Sequence, residues 1–306
     1  MINLANYPRL AAWYGATRPR VFTAAFVPMG IAACQAIADD VFDLLHFVLA
    51  LIGVMLLQTA ANLVNEYADY RKGADTYKVA GQSMAIKNKL LAPNEVLFGA
   101  VASTVAGSLI GLYLLAQSGP LLWAIGISAV LVAITYTAGP FPLAYNGLGE
   151  LAAGIWMGPL IVVGAYYVMD TDISWELVLI SLPITFTVAA ILHANNIRDI
   201  DADRVVNKRT LAVMLGREAA RKEYALLIGA AYVSLVLLVI AGVMPPTVLL
   251  GLLTLPVAYD LVKIFNTETD PALLHPAQGR TAKLHGQFGL LICIGWLAWL
   301  AGAAIF

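Results

Sequence analysis

Long apolar runs separated by short polar ones dominate the chain, and their lengths are those of membrane-crossing helices. Crossing a bilayer takes about 20 predominantly apolar residues in helical form. Stretches of about that length lie near 21–38, 44–66, 96–117, 120–139, 149–169, 175–197, 223–243, 246–265 and 285–305. Little more than Ser118 and Gly119 separates the third from the fourth, which predicts a tight hairpin. Residues 3–17, with Tyr7, Trp13 and Tyr14, predict a helix lying at headgroup depth. The pattern therefore predicts an all-α polytopic membrane protein of about nine transmembrane helices. No linker or low-complexity stretch interrupts 1–306, which reads as one domain.

Charge sharpens this division. The chain is 60% hydrophobic and 12% charged, whereas a soluble globular domain carries about 25% charged residues. All 18 Lys and Arg residues fall in or beside 1–20, 66–95, 139–149, 198–222 and 265–284, while the intervening loops carry acids such as Asp39, Asp40, Asp43, Asp170 and Asp172. Positive loops mark the cytoplasmic side. The expected orientation has a cytoplasmic N-terminus and an outer C-terminus in the plasma (inner) membrane, with the first span an uncleaved anchor. The net charge of −1 averages a basic inner face with an acidic outer one and points to no nucleic-acid partner. Cys34 and Cys293 lie inside apolar spans without metal or disulfide spacing and read as packing residues.

Two acidic clusters close apolar runs on that inner side. The first is Asn65-Glu66-Tyr67-Ala68-Asp69-Tyr70-Arg71-Lys72-Gly73-Ala74-Asp75; the second is Asn195-Asn196-Ile197-Arg198-Asp199-Ile200-Asp201-Ala202-Asp203-Arg204. A charge facing mid-bilayer lipid costs roughly 2.5–3.5 kcal/mol on insertion scales, so the clusters predict a shared polar cavity. Residues four apart share a helix face. Asn65 and Asp69, with Lys72 one turn on, form one stripe, beside Asn62 and Glu66. Asn195, Asp199 and Asp203 form another, and Asp201 points away. Amide and carboxylate oxygens suit Mg2+, together with water and substrate phosphates; without sulfur or imidazole, zinc and copper are poorly served. Lys72, Lys78, Arg198, Arg204, Lys208 and Arg209 are candidates to hold an anion bridged by the metal. One cluster alone would read as interfacial charge, but two in the same register on one side favour a binding site.

Other signals are weaker. The recurrence of Asn-x-x-x-Asp four spans apart suggests pseudo-repeat halves of about 1–145 and 146–265 plus a last helix. Thr135 through Leu143, with Gly139, Pro140 and Pro142, breaks the fourth helix at its inner end. Arg18, before Pro19, fits either an inner-face anchor or a substrate-phosphate contact. His46, His193, His275 and His285 are scattered and read as packing or hydrogen-bonding residues. Asp260, inside the eighth span, is a candidate partner for Lys263.

At these residues the chain resembles the UbiA superfamily of intramembrane aromatic prenyltransferases, whose Asp-rich motifs have the forms N-D-x-x-D-x-x-x-x-x-D and D-x-x-x-D. Here they read Asn65-Glu66-x-x-Asp69 with Asp75, and Asp199-x-x-x-Asp203. Within the superfamily, the likeness is greatest to 1,4-dihydroxy-2-naphthoate polyprenyltransferases of menaquinone biosynthesis. It runs through Asn195–Asp199, Lys208–Val213, Leu215-Gly216, Asn62-Leu63, Gly139-Pro140, Pro142-Leu143, Gly147–Gly149 and Asp270-Pro271. The resemblance implies a nine-helix bundle around a lipid-facing cavity. It implies two Mg2+ ions at Asn65, Asp69, Asp199 and Asp203, with Glu66 and Asp75 as further motif candidates. Lys72, Lys78 and Arg198 would contact the diphosphate, with Arg18, Lys208 and Arg209 as further candidates; Asn62, Asn195 and Asn196 would be other polar contacts. Tyr136 would face the reacting carbon, beside the catalytic Asp69, Asp199 and Asp203. Glu66 stands where the family usually has Asp and reaches one methylene further.

The implied reaction joins a polyprenyl diphosphate to a small aromatic acceptor, with 1,4-dihydroxy-2-naphthoate first and a demethylmenaquinone as product. Other acceptors of the superfamily (4-hydroxybenzoate, homogentisate or a glycerophosphate lipid) remain alternatives. From another class, a secondary transporter could use carboxylates as an ion path, but such groups sit near mid-membrane with access to both sides, whereas both clusters here sit at one face.

Overall fold

The computed structural model describes residues 7–78, 81 and 83–303, and helix is the regular structure among them; Asn146 and Arg209 form an isolated backbone bridge. Residues 3–6 of the expected interfacial helix and 304–305 of the expected last span lie outside the described residues. The elements are α1 (Pro8–Thr17), α2 (Thr23–Ala38), α3 (Leu44–Arg71), α4 (Pro93–Gln117), α5 (Leu121–Thr135), α6 (Gly149–Met157) and α7 (Pro159–Tyr167). They continue with α8 (Glu176–Val205), α9 (Leu211–Leu215), α10 (Arg217–Ile240), α11 (Leu255–Thr267) and α12 (Pro271–Ala303).

Each of the nine expected spans has a helical counterpart among the described residues. Seven are long and apolar enough to cross a membrane, counting α6 with α7 and Pro246–Thr254 with α11; α1 and α2, bent by 45°, make an eighth, and α5 is a shorter apolar helix. The bend falls at Phe22, between Val21 and Thr23, while Arg18, at φ 55°, ends α1 ahead of Pro19. Asp43 starts α3 by accepting the His46 backbone N–H at 2.9 Å, satisfying a donor that a helix start leaves free.

Three boundaries differ from expectation, and a fourth follows the expected break. The fifth span is two helices, because α6 ends at Gly158. A Cβ there would stand 2.2 Å from Thr185 Oγ1 and 2.6 Å from the Gly154 carbonyl oxygen, so only glycine fits, and Pro159 restarts the helix without needing a donor. The fourth span breaks as expected after Thr135, where Gly139 at φ 84° and two prolines turn the chain. The eighth opens as a 3-10 stretch, Pro246–Thr254, pressed onto α12; a Cβ on Gly295 would stand 2.2 Å from the Thr247 carbonyl oxygen. Finally, the last helix begins at Pro271, with the Asp270 carboxylate accepting the Ala272 N–H at 2.8 Å. The segment 271–284, expected as loop, therefore forms the helix turns that carry His275 and Gln278 toward the bundle axis.

The most buried span is α8, packed against α2, α6, α7, α9, α10 and α12. Lipid is as apolar as a leucine side chain, so close approach of small residues holds such a bundle together, as where Gly289 of α12 meets Val27 of α2. α4 and α5 form an outer wall that leaves Phe98, Leu109 and Trp123 exposed to lipid. A smaller apolar cluster joins Ala12 and Ala16 of α1, Leu63 of α3, Ala85, Ile86 and Leu91 of the following segment, and Val96 of α4. It fastens the 83–91 segment over the C-terminal end of α3. The isolated polar groups are also partnered. His285 meets Thr187 Oγ1 at 2.7 Å and the Thr23 carbonyl at 3.2 Å. Asp260 pairs with Arg280 rather than Lys263, since the helical turn 271–284 brings that arginine alongside α11. Cys34 and Cys293 are free thiols.

Candidate active site

The second acidic cluster is helical throughout, since α8 runs on to Val205, whereas α3 ends at Arg71 and leaves Lys72–Asp75 of the first cluster in a turn. Asn65 and Asp69 therefore keep one face of α3, and Asn195 and Asp199 one face of α8, around a single polar cavity of about 60 Å³. Arg18, Glu66, Asp75, Lys78, Tyr136, Asn196, Arg198 and Lys208 also line it.

The carboxylates in this cavity are held apart by cations. Asp69 accepts from Lys78 Nζ at 3.0 Å, Lys208 Nζ at 3.4 Å and the Tyr145 hydroxyl at 2.8 Å. Lys78 also bonds Asp75 at 2.9 Å. Arg198 clasps Asp199 with two bonds of 2.7 Å, reaches Asn195 at 2.7 Å and meets His275 Nδ1 at 3.0 Å. Asp203, 1% exposed, lies 3.7 Å from Lys208 Nζ, and neither of its carboxylate oxygens has a hydrogen-bond partner among the described residues. One lysine thus stands between Asp69 of α3 and Asp203 of α8. Among the described residues no three acidic, histidine or cysteine side chains form a ready-made metal cluster. Burial works against the charge of Lys78, but Asp69 and Asp75 outweigh it and hold the amine above the usual lysine range. Burial, reinforced by Asp69, raises the Tyr145 phenol, which stays protonated as a hydrogen-bond donor.

Some candidates are engaged with other partners. Lys72 turns from the stripe to donate to the Thr137 carbonyl at 2.8 Å, with its amine 4.0 Å from the centre of the Tyr145 ring. As the residue capping α3, it has left the helical register that would aim it at the cavity. Arg209 is exposed and outside the cavity, its backbone being tied to Asn146. Asn62 donates to the Thr17 carbonyl at 2.9 Å, fixing the end of α1. Glu66 is buried and accepts the Ile86 N–H at 3.2 Å and the Met84 N–H at 3.4 Å. Its extra methylene lets it hold the 83–91 segment, so its oxygens are already engaged. Arg18 donates to Asn65 Oδ1 and faces the cavity, as a substrate-phosphate contact would.

Sequence reasoning missed Tyr145 and His275. Neither stands in a motif; each reaches the site through a segment distant in sequence, and only the Pro142-Leu143 turn just ahead of Tyr145 hinted at its connection.

Below the polar cavity lies an apolar one of about 250 Å³, sharing Arg18, Asn65, Tyr136, Leu192 and Asn195 with it. A third, of about 380 Å³, shares Val54, Leu57, Ala129, Trp156 and Ile161 with the second and runs between α3, α4, α5 and α7. Such a sequence of chambers accepts an amphiphile whose anionic head meets lysines and arginines and whose hydrocarbon tail lies among apolar side chains. An all-helical integral membrane protein with a polar cavity opening onto apolar chambers is the class this architecture defines. The model of the UbiA prenyltransferase family matches residues 21–273, and the chain belongs to that family. It is similar to the 1,4-dihydroxy-2-naphthoate octaprenyltransferase of Bacillus subtilis (strain 168), 36% identical over 281 residues that span 92% of this chain and 90% of that one. In fold it is similar to a UbiA homolog from Aeropyrum pernix K1 in its apo form, with TM-score 0.68 and 18% identity over 92% of this chain and 98% of that chain. A UbiA homolog from Archaeoglobus fulgidus, solved with DMAPP and Mg2+, matches with TM-score 0.60 and 14% identity over 92% and 99% of the two chains.

Proposed function

We propose that this prenyltransferase transfers a polyprenyl group from its diphosphate to 1,4-dihydroxy-2-naphthoate in a Mg2+-dependent reaction, giving a demethylmenaquinol, the reduced form of a demethylmenaquinone. The single observation that carries the reading is the meeting of Asp69 and Asp203, from two helix tips, at Lys208. Naphthoate as acceptor is supported by the similarity to the Bacillus subtilis enzyme. Asp203, with two buried oxygens lacking hydrogen-bond partners among the described residues, fits a hard cation that prefers oxygen. When bound, two Mg2+ ions at Asn65, Asp69, Asp199 and Asp203 supply the positive charge that stabilises a leaving diphosphate.

The protein's own residues do the rest. Lys78, Lys208 and Arg198, released from their carboxylates, hold diphosphate oxygens, and Arg18 does so from the opposite wall. The allylic C–O bond breaks, and its electron pair leaves with the diphosphate. The prenyl carbon then bonds to the ring carbon bearing the carboxylate, which departs as CO2. Tyr136, common to the polar and apolar cavities, borders the reacting carbon. The apolar chambers hold the tail and exclude water from the cation. The Lys and Arg distribution supports placing the N-terminus and polar cavity on the cytoplasmic side.

The test is incubation of purified protein with a polyprenyl diphosphate, Mg2+ and each candidate acceptor, with products read by mass spectrometry. A prenylated, decarboxylated naphthoquinol is expected. Prenylation of 4-hydroxybenzoate or homogentisate alone would overturn the acceptor while leaving the family intact.

A further inference from the structure

One buried ionisable group takes no part in the chemistry above. Glu150, the second residue of α6, receives Asn196 Nδ2 at 2.8 Å on Oε1, and His193 Nδ1 lies 2.9 Å from the same oxygen. His193 Nε2 donates to the Ala220 carbonyl of α10 at 2.8 Å. His193 is fully buried and Glu150 nearly so, and Glu150 Oε2 has no hydrogen-bond partner among the described residues.

Counting protons defines the state of this cluster. A backbone carbonyl only accepts, so Nε2 carries a hydrogen. The contact between Nδ1 and Oε1 needs one more, held by the imidazole or by the carboxyl group. A second carboxylate, Glu223, stands 3.6 Å from Nε2, so acids flank the ring on both sides. The result is a buried hydrogen-bonded cluster tying α6, α8 and α10 together.

Its consequence for the site lies in Asn196. Asn196 turns its NH2 toward Glu150 Oε1, and its carbonyl oxygen then points away from that acid. Asn196 lines the polar cavity, whereas Glu150 and His193 do not. We propose that Glu150 and His193 are positioning residues: they lock Asn196 so that its carbonyl oxygen faces the cavity and accepts a hydrogen bond from the hydroxyl of the aromatic acceptor. The role rests on the prenyltransferase reading and on a phenolic acceptor, not on which one.

A double-mutant cycle tests it in the full-length protein in detergent or nanodiscs, using whichever phenolic acceptor the wild type prenylates. Glu150→Gln and Asn196→Ala should each lower kcat/KM for the acceptor by roughly tenfold, as expected for a lost buried hydrogen bond. Neither should shift the KM for the polyprenyl diphosphate by more than about twofold, and the double variant should be no worse than either single one. His193→Asn, which keeps a donor near the position of Nδ1, should recover most of the activity lost in His193→Leu. Additive losses, a raised KM for the diphosphate, or His193→Asn as poor as His193→Leu at equal thermal stability would overturn the role. Should Glu150→Gln fail to fold, the two His193 variants and Asn196→Ala decide it. A wild type inactive on every phenol would instead defeat the functional reading.

Discussion

If lysines stand in for metal charge between the acidic helix tips, removing one should destabilise the metal-free protein, and Mg2+ should repair it. Lys208→Met keeps the length of the side chain and deletes a charge 3.4 Å from Asp69 and 3.7 Å from Asp203, with all three side chains at most 6% exposed. Opposite unit charges 4 Å apart attract by about 4 kcal/mol at an effective dielectric constant of 20. Breaking a buried pair from one side costs about 3–5 kcal/mol. Lys78 still serves Asp69, so the loss falls on Asp203, and the lower figure, about 3 kcal/mol, applies. At roughly 2–4 °C per kcal/mol for a large chain, the midpoint in EDTA should drop by about 6–12 °C. Saturating Mg2+ should narrow that gap, because the variant has no ammonium to displace; at a hundred times Kd a ligand adds about 2.7 kcal/mol. The assay is tryptophan-fluorescence melting in detergent, wild type against Lys208→Met, with EDTA or Mg2+. A variant that melts at the wild-type temperature in EDTA, or whose deficit is unchanged by Mg2+, refutes the idea that this cation occupies the metal's electrostatic place.

Asp69→Ala and Asp199→Ala should each reduce turnover by roughly a hundredfold or more, the scale of losing one preorganised electrostatic contact, while the protein still elutes as a folded species; near-normal turnover in either would remove it from the machinery. Glu66→Ala should leave the Ile86 and Met84 N–H groups without their acceptor, at about 1–3 kcal/mol, and limited proteolysis should then cut more readily within 83–91; unchanged cleavage would contradict the anchoring role. Arg209→Ala should alter kcat/KM by less than about twofold, since substitutions away from special features are close to neutral, and a large loss in that assay would return Arg209 to the site. Gly158→Ala, which sets a methyl group 2.2 Å from Thr185 Oγ1, should lower the melting midpoint by an amount equivalent to about 1–3 kcal/mol of overpacking.

Membrane helices and the two motif tips were legible in the chain alone because both depend on local rules. Hydrocarbon thickness sets span length, and the helical repeat puts Asn65 with Asp69 and Asn195 with Asp199. Those rules hold whatever the neighbours do. Other features required the tertiary structure. The break at Gly158 exists because Thr185, 27 residues later, leaves no room for a Cβ. Lys72 and Lys78 are equally plausible on paper, yet one turns to the Thr137 carbonyl and the other into the cavity. Tyr145 and His275 carry no motif and reach the site from a turn and from the first turns of α12. Glu66, a motif residue, also accepts the Met84 and Ile86 N–H groups of the 83–91 segment. A side chain's role depends on what lies within a few ångströms of its tip, and in this bundle those neighbours come from helices far apart in the chain, through packing that no local pattern encodes.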